Sequence, residues 1–463
     1  MKHLIKLILL LVLMSAGYSL HAQSKYEVKP LSFNTSYADE VAAIPYTGGV
    51  IFCSNKNQNV ILSRTDLNDE YIFQLYNVVY ENKQWSHPHI LQKELISDAH
   101  QGPAALSADG NTLYITVNNK QTNGIFIAQK RGNIWGDIQP FEYNSADYTT
   151  AHPSISKDGK YLFFASDMPG GFGGFDIYCC EWTGRKWGKP NNLGTTVNTA
   201  ANELYPFSQS ENVLFFASAG HHSMGGLDVF SVISRNGEWA TRYHAEEPIN
   251  SADDDFAYTS LDDGTSGYFS SNRNGKTIDI FSFKSLLPVF SDCSEQEEND
   301  YTYAFNFNTS EQDTTNNYTY RWSFGDGTVV KGETAVEHTF PTTGNYEVSL
   351  YVTDLITEEE TLEAKYGVMV EDVEQAYITI TGLDAATGGA TVKLDASQSY
   401  LPHINIENYY WIFDDGNVLT GKTVDNVYLP PVGACRIKLG VTGTDTETGE
   451  KVKRCTYKNI TVN

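Results

Sequence analysis

Between Pro153 and Leu193 the chain alternates short apolar runs with turn residues. PSIS (Pro153–Ser156) closes on Lys157-Asp158-Gly159, where Asp-Gly supplies the positive φ of a tight hairpin. YLFFAS, DIYCC and a stretch around KWGKPNNL follow. Period-2 strands separated by turns predict a four-stranded meander. The unit then repeats: LFFASAGHHSMGGLDVFSVISRNGEW begins at Leu214 and GYFSSNRNGKTIDIFSF at Gly267. Asp176, Asp228 and Asp279 recur at intervals of 52 and 51 residues, and Trp85, Trp135, Trp187 and Trp239 at 50, 52 and 52. A period near fifty predicts a propeller or another array.

Polar hinges join one outer strand to the next first strand at Asn34-Thr35, Ser97-Asp98, Asn144-Ser145, Asn198-Thr199 and Asn250-Ser251. They count five blades over residues 24–286, or six if the long first copy hides another. The segment YEVKPLSF before the first hinge reads like the outer strand KWGKPNNLG, while the last copy, ending near DIFSFKS, has no outer strand of its own. The N-terminal strand is therefore expected to complete the last blade, which removes exposed sheet edges.

The grammar changes after Phe290. SDCSEQEEND is acidic and aperiodic, and residues 287–300 read as a linker. YRWSFGDGTVV, HTF and GNYEVSLYVTD then alternate apolar and polar positions around an Asp-Gly turn, and YYWIFDDGNVL with VYLPPVGACRIKLGV repeats the pattern. Trp322 and Trp411 lie 89 residues apart, the length of a sandwich domain. Two modules are expected, at 301–372 and 373–463. The fold class is all-β: a five-bladed β-propeller, with six blades as the alternative, followed by two immunoglobulin-like β-sandwiches.

Composition narrows the setting. Lys2 and Lys6 precede an apolar run, Leu7 to Met14, that is too short to span a bilayer and is followed by SAGYSLHAQ. Residues 1–22 read as a cleaved signal peptide, so the mature chain is expected to be exported, with no membrane span. The first cysteine is Cys53, so no lipid anchor is expected at the mature N-terminus. The formal charge of −25 and the lack of any Lys/Arg cluster exclude nucleic acid as a partner. Cys179 and Cys180 are adjacent on one strand and point to opposite faces. Cys435 and Cys455 are the expected disulfide, closing a loop of about 20 residues, with two separate buried thiols as the alternative.

SDMPGGFGGFDIY, followed by W-x-x-P-x-x-L-G and N-T-x-x-N-E, resembles the TolB-like β-propeller repeats of gram-negative envelope proteins. The match is clearest in the copies near His152 and Glu203, weaker at Asp254 and weakest in the first two, where NGIF (Asn123–Phe126) lacks the aspartate. Such repeats often precede an OmpA-like peptidoglycan-binding domain. The modules after residue 300 look different, so peptidoglycan anchoring is not carried over. Instead, Trp322, Phe324, Gly325, Asp326 and Gly327 match the W-x-F-G-D-G signature of polycystic kidney disease (PKD) domains. In the second copy Asp414 replaces the first motif glycine, and Cys435 stands on the core face where the first copy has Tyr346. The resemblance implies spacer or adhesive modules of envelope or extracellular proteins, and the motif tryptophans read as core.

Candidate chemistry is sparse. DMPGGFGG lacks the Gly-Lys-Ser/Thr and helix of a phosphate loop. Its glycines instead suit a tight loop whose amides bond to Asp176, with Asp228 in the same role. Residues just before the first strands of a propeller crowd one mouth, and here these are Glu40, His100, His152, Glu203 and Asp254. Carboxylates gathered there suit ion or ligand binding, or acid–base work of the glycosidase kind. HHSMG (His221–Gly225) is no nucleophile elbow, and neither His87/His89 nor His221/His222 has the spacing of a known metal site. No catalytic residue, metal or cofactor is assigned. The expectation is a non-enzymatic scaffold or binding protein of the gram-negative periplasm, outer membrane or cell surface, with envelope proteins as partners and a place beside type nine secretion or gliding machinery. The alternative is a secreted polysaccharide-binding or glycan-active protein using the mouth carboxylates.

Overall fold

A computed structural model describes residues 25–56, 71–92, 95, 99–119, 123–235, 237–261, 264–308, 317–382, 391–413, 418–428 and 433–462. The expected signal peptide, the hinge Ser97-Asp98 and the variant motif at Asp414 lie outside these residues. No helix occurs among the described residues. The chain divides into two compact units, Met1–Leu287 and Pro288–Asn463.

The first unit holds five antiparallel sheets. Their first strands are Glu40–Tyr46, His100–Leu106, Thr150–Ile155, Glu203–Ser210 and Asp255–Ser260. Each pairs with a second strand of six or seven residues, such as Tyr161–Ser166, which carries the apolar run. A third strand begins at or just before the position of the motif aspartate: Asn123–Arg131, Asp176–Glu181, Asp228–Arg235 and Asp279–Ser285. The Lys157-Asp158-Gly159 turn follows its local chemistry: Gly159 has φ +73°, and the Asp158 carboxylate accepts from Ser156 Oγ and the Lys160 amide. Tyr26–Pro30 pairs antiparallel with Asp279–Ser285 and supplies the fourth strand of the last sheet. The outer strand of the third copy is shorter than the sequence suggested: Asn191–Asn192, plus a bridge between Trp182 and Trp187. Each first strand lies beside that of the next sheet, and Asp255–Ser260 lies beside Glu40–Tyr46.

Every first strand breaks register at the same place. The third residue, Ala42, Gly102, His152, Tyr205 or Ala257, has φ of 55°, 100°, 53°, 50° or 51°, and the ladder to the second strand slips there. This is a β-bulge repeated five times, a device that bends a strand and increases its twist. Glycine suits the second copy for a further reason, since a Cβ at Gly102 would lie 2.1 Å from Cys53 Sγ.

In the second unit, Tyr318–Ser323, Gly344–Asp354 and Glu360–Val370 form a sheet with Val329–Lys331, facing the pair Thr302–Asn306 and Ala335–Thr339. Trp322, Phe324, Phe340, Val348 and Leu350 pack between them. The second sandwich repeats this with Ile404–Phe413, Gly433–Asp445 and Lys451–Val462 around Trp411, Ile437 and Leu439. Each buried indole donates to a backbone carbonyl, Trp322 to Glu333 at 3.0 Å and Trp411 to Gly421 at 2.8 Å. In the GDG turn, Gly325 and Gly327 have φ of +79° and +98°. Asp326 accepts from the Thr328 amide and is bonded to His338 Nε2 at 2.8 Å.

One expectation is corrected here. The disulfide joins Cys455 to Cys293, not to Cys435. Cys435 is buried, outside any disulfide, and lies opposite Ile460, whereas Cys455 lies opposite Gly440 on the same pair of strands, so the two cysteines stand five positions apart along the ladder. The acidic segment 287–300, read as a linker, makes specific contacts with the second sandwich. Ser294–Glu295 pairs in parallel with Thr456 and Tyr457. Gln296 donates its amide to Tyr457 O and accepts from the Ile378 amide, and Asn299 bonds to Asp372 and Val373. Phe290 lies against Gly440, where a Cβ would come within 2.3 Å of its ring.

Candidate functional site

The expected mouth residues do not occupy equivalent positions in their strands. Glu40, His100 and Glu203 are first residues of their strands, but His152 is the third of its strand and Asp254 precedes its strand. The positions equivalent to Glu40 are His100, Thr150, Glu203 and Asp255. The hinge varies in length between copies, so a sequence alignment by polar residues slips by one or two positions.

The carboxylates at this level are buried and engaged. Glu203, fully buried, accepts from the Thr199 amide, Thr199 Oγ1 and Ser218 Oγ, each at 2.7 Å. Glu40 does the same with Thr35 and Ser54, at 2.9 to 3.4 Å. Asp255 accepts from Ser251 and is paired with the Arg273 guanidinium. Arg273 also donates to the carbonyls of Pro248 and Ile249 and stacks on Phe269 and Phe281. Burial pushes the Glu40 carboxyl up to about 7, against the pull of its bonds to Thr35. Each carboxylate thus caps its own hinge, in the manner of a helix or turn cap.

A second hinge contact repeats four times and was not foreseen. The side-chain amide of Asn34, Asn144, Asn198 or Asn250 accepts from the amide of Ile280, Ile125, Ile177 or Val229 and donates to the carbonyl of the same residue, at 2.7 to 3.2 Å. The asparagine imitates a neighbouring strand and ties the hinge to the third strand. Asp254 is a latch between sheets: its Oδ1 accepts from the Leu227 amide at 2.8 Å, as Asp39 does from Ile278 and Asn202 from Phe175.

The His152 ring stacks on Tyr205 with centroids 4.0 Å apart, and Tyr205 packs on Phe256. Burial pushes the His152 imidazole down to about 3, and its Nδ1 has no partner. His100 Nδ1 accepts from the Phe73 amide. Pro103, Pro153 and Pro206 follow the bulge residue in three copies, and this X-Pro step is the sequence signal that would have located the bulge.

Asp176 and Asp228 are fully buried and accept from loop amides, Phe172 at 2.5 Å and Met224 at 2.5 Å. Asn192 supports Asp176 and His244 supports Asp228. Asp279 is bonded to Asn274, and burial raises its carboxyl above the usual range. Trp135 and Trp187 are buried, while Trp85 and Trp239 are half-buried. His221 Nε2 donates to Val197 O at 2.7 Å. Among the described residues no three His, Cys, Asp or Glu side chains are grouped to hold a metal ion.

The PKD domain family model matches residues 288–366 and 374–457, so the C-terminal region carries PKD domains. No curated protein matches the chain. Similar solved structures include TolB from Acinetobacter baumannii, 11% identical, with a TM-score of 0.32, covering 65% of this chain. The alignment spans only 60% of that TolB chain. A putative TolB from Agrobacterium tumefaciens is 12% identical with a TM-score of 0.30, covering 80% of this chain and 93% of its own. The xyloglucan PUL GH43B protein of Bacteroides ovatus is 11% identical with a TM-score of 0.37, covering 94% and 92%. Scores this low carry no argument about activity.

Proposed function

We propose that the chain is an exported, non-enzymatic binding protein of the gram-negative envelope or cell surface. In this reading the five sheets are the blades of one closed five-bladed propeller, completed by Tyr26–Pro30, which offers a rigid face to a partner protein. The PKD domains serve as spacer and second contact. The observation that carries the reading is the engagement of Glu40, Glu203 and Asp255: all three are buried and bonded to their own hinges. A carboxylate that caps a hinge is held away from substrate, whereas acid–base chemistry needs it within reach of the reacting atom. Association with type nine secretion or gliding machinery is an extension of the same reading, motivated by the layout of propeller followed by PKD modules.

The test is capture of partners by the full mature chain from its own cell envelope. Recovery of a defined envelope protein supports the proposal. Recovery of polysaccharide alone, with turnover of that polysaccharide by the chain, overturns it.

A further inference from the structure

The two sandwiches have the same outer strand but treat its free edge differently. In the second, Lys451–Val462 is covered from outside by Ser294–Glu295, with Cys293 bonded to Cys455. In the first, among the described residues, Glu360–Val370 pairs only with Gly344–Asp354 and ends the sheet. The ladders make the positions comparable. Leu362 lies opposite Tyr351 as Cys455 lies opposite Gly440, and Ala364 lies opposite Leu350 as Thr456 lies opposite Leu439. Leu362, at the place of the covered cysteine, is 53% exposed.

The hairpin tips repeat the contrast. Asp354 caps the amides of Ile356 and Thr357 as Asp445 caps those of Glu447 and Thr448. On the same turn the first sandwich carries Leu355 and Ile356, 56% and 73% exposed, where the second carries Thr446 and Glu447. The turn does not require those apolar side chains, since its twin folds without them. Exposed carboxylates follow within eight residues along the chain: Glu358, Glu359 and Glu363.

We propose that this edge takes an extended segment of another protein, pairing main chain to main chain as Ser294–Glu295 does on the second sandwich. The segment sets apolar side chains against Leu355, Ile356 and Leu362 and basic ones against the three glutamates. Strand addition of this kind draws affinity from the ladder and specificity from alternate side chains. The inference places a second contact surface within the binding role proposed above and rests on that reading. Its failure leaves envelope capture by the full chain unaffected, so the two are separable.

The test is amide hydrogen exchange of the full mature chain with a synthetic eight-residue peptide of alternating valine and lysine. The same peptide with two central residues replaced by proline, which cannot complete a ladder, is the control. The expected result is exchange slowed at least tenfold within 360–370 by the first peptide alone. The double substitution Leu355→Thr, Ile356→Glu, which copies the second tip, should weaken binding about tenfold while leaving thermal stability unchanged. Equal protection by both peptides, or none within 360–370, overturns the proposal. So does a concentration-dependent dimer of the chain alone that the tip substitution abolishes, because the edge would then belong to a second copy.

Discussion

Arg273 illustrates how individual side chains hold this molecule together. It is largely buried, and its guanidinium meets a fully buried Asp255, two carbonyls and two phenylalanine rings. Removing one partner of a buried pair leaves the other charge uncompensated, so Arg273→Ala is expected to cost about 3–5 kcal/mol in urea unfolding. Glu40 makes a prediction about pH. Burial raises its folded-state value to about 7, above the ordinary 4.5, so the folded protein holds this proton more tightly than the unfolded chain. Its contribution is therefore largest below the unfolded value and declines as pH rises from about 4.5 to 7. Glu40→Gln should flatten that decline, by roughly 1–3 kcal/mol between pH 5 and pH 8, read from thermal midpoints at both pH values.

At the scale of the element, the apolar runs and Asp-Gly turns were legible because strands and hairpins are set by neighbouring residues. YLFFAS and the turn at Gly159 form where the pattern placed them. The hinge carboxylates were visible as polar residues but their partners were not: Glu203 answers to Thr199 and Ser218, a relation that depends on where the strand begins. The bulge hid that start. Cys455 shows the limit most clearly, because its partner is 162 residues away in an aperiodic acidic segment at a domain boundary. In the chain-entropy account, a crosslink over a span of that length contributes about 5 kcal/mol. Cys293→Ser should lower the unfolding midpoint of the PKD region by several degrees, whereas Cys435→Ala, which removes a buried sulfur outside the disulfide, should cost about 1 kcal/mol. Peptide mapping without reduction should recover Cys293 linked to Cys455.

For the whole molecule, the five sheets gain their coherence from contacts between distant parts of the sequence. Asn34 bonds to Ile280, Asp39 to Ile278, and Tyr26–Pro30 completes a sheet whose other strands begin at Asp255. A chain shortened to begin after Pro30 should melt at lower temperature and self-associate, because the Asp279–Ser285 strand would become an open edge. The sequence suggested this closure from the missing outer strand of the last copy, since the strand inventory can be counted without knowing any contact. The identity of a partner is a different matter, for the pattern within one chain shows at most the chemistry of the surface that meets it.

The central claim is that the hinge carboxylates hold the sheets together and do no chemistry, and Glu203→Gln in the full mature chain tests it most directly. Glutamine keeps the size but cannot accept all three hydrogen bonds, so unfolding should become easier by about 1–3 kcal/mol, with capture of the proposed envelope partner unchanged. If stability were unchanged, and the parent chain turned over a glycan that the variant did not, the claim would be contradicted.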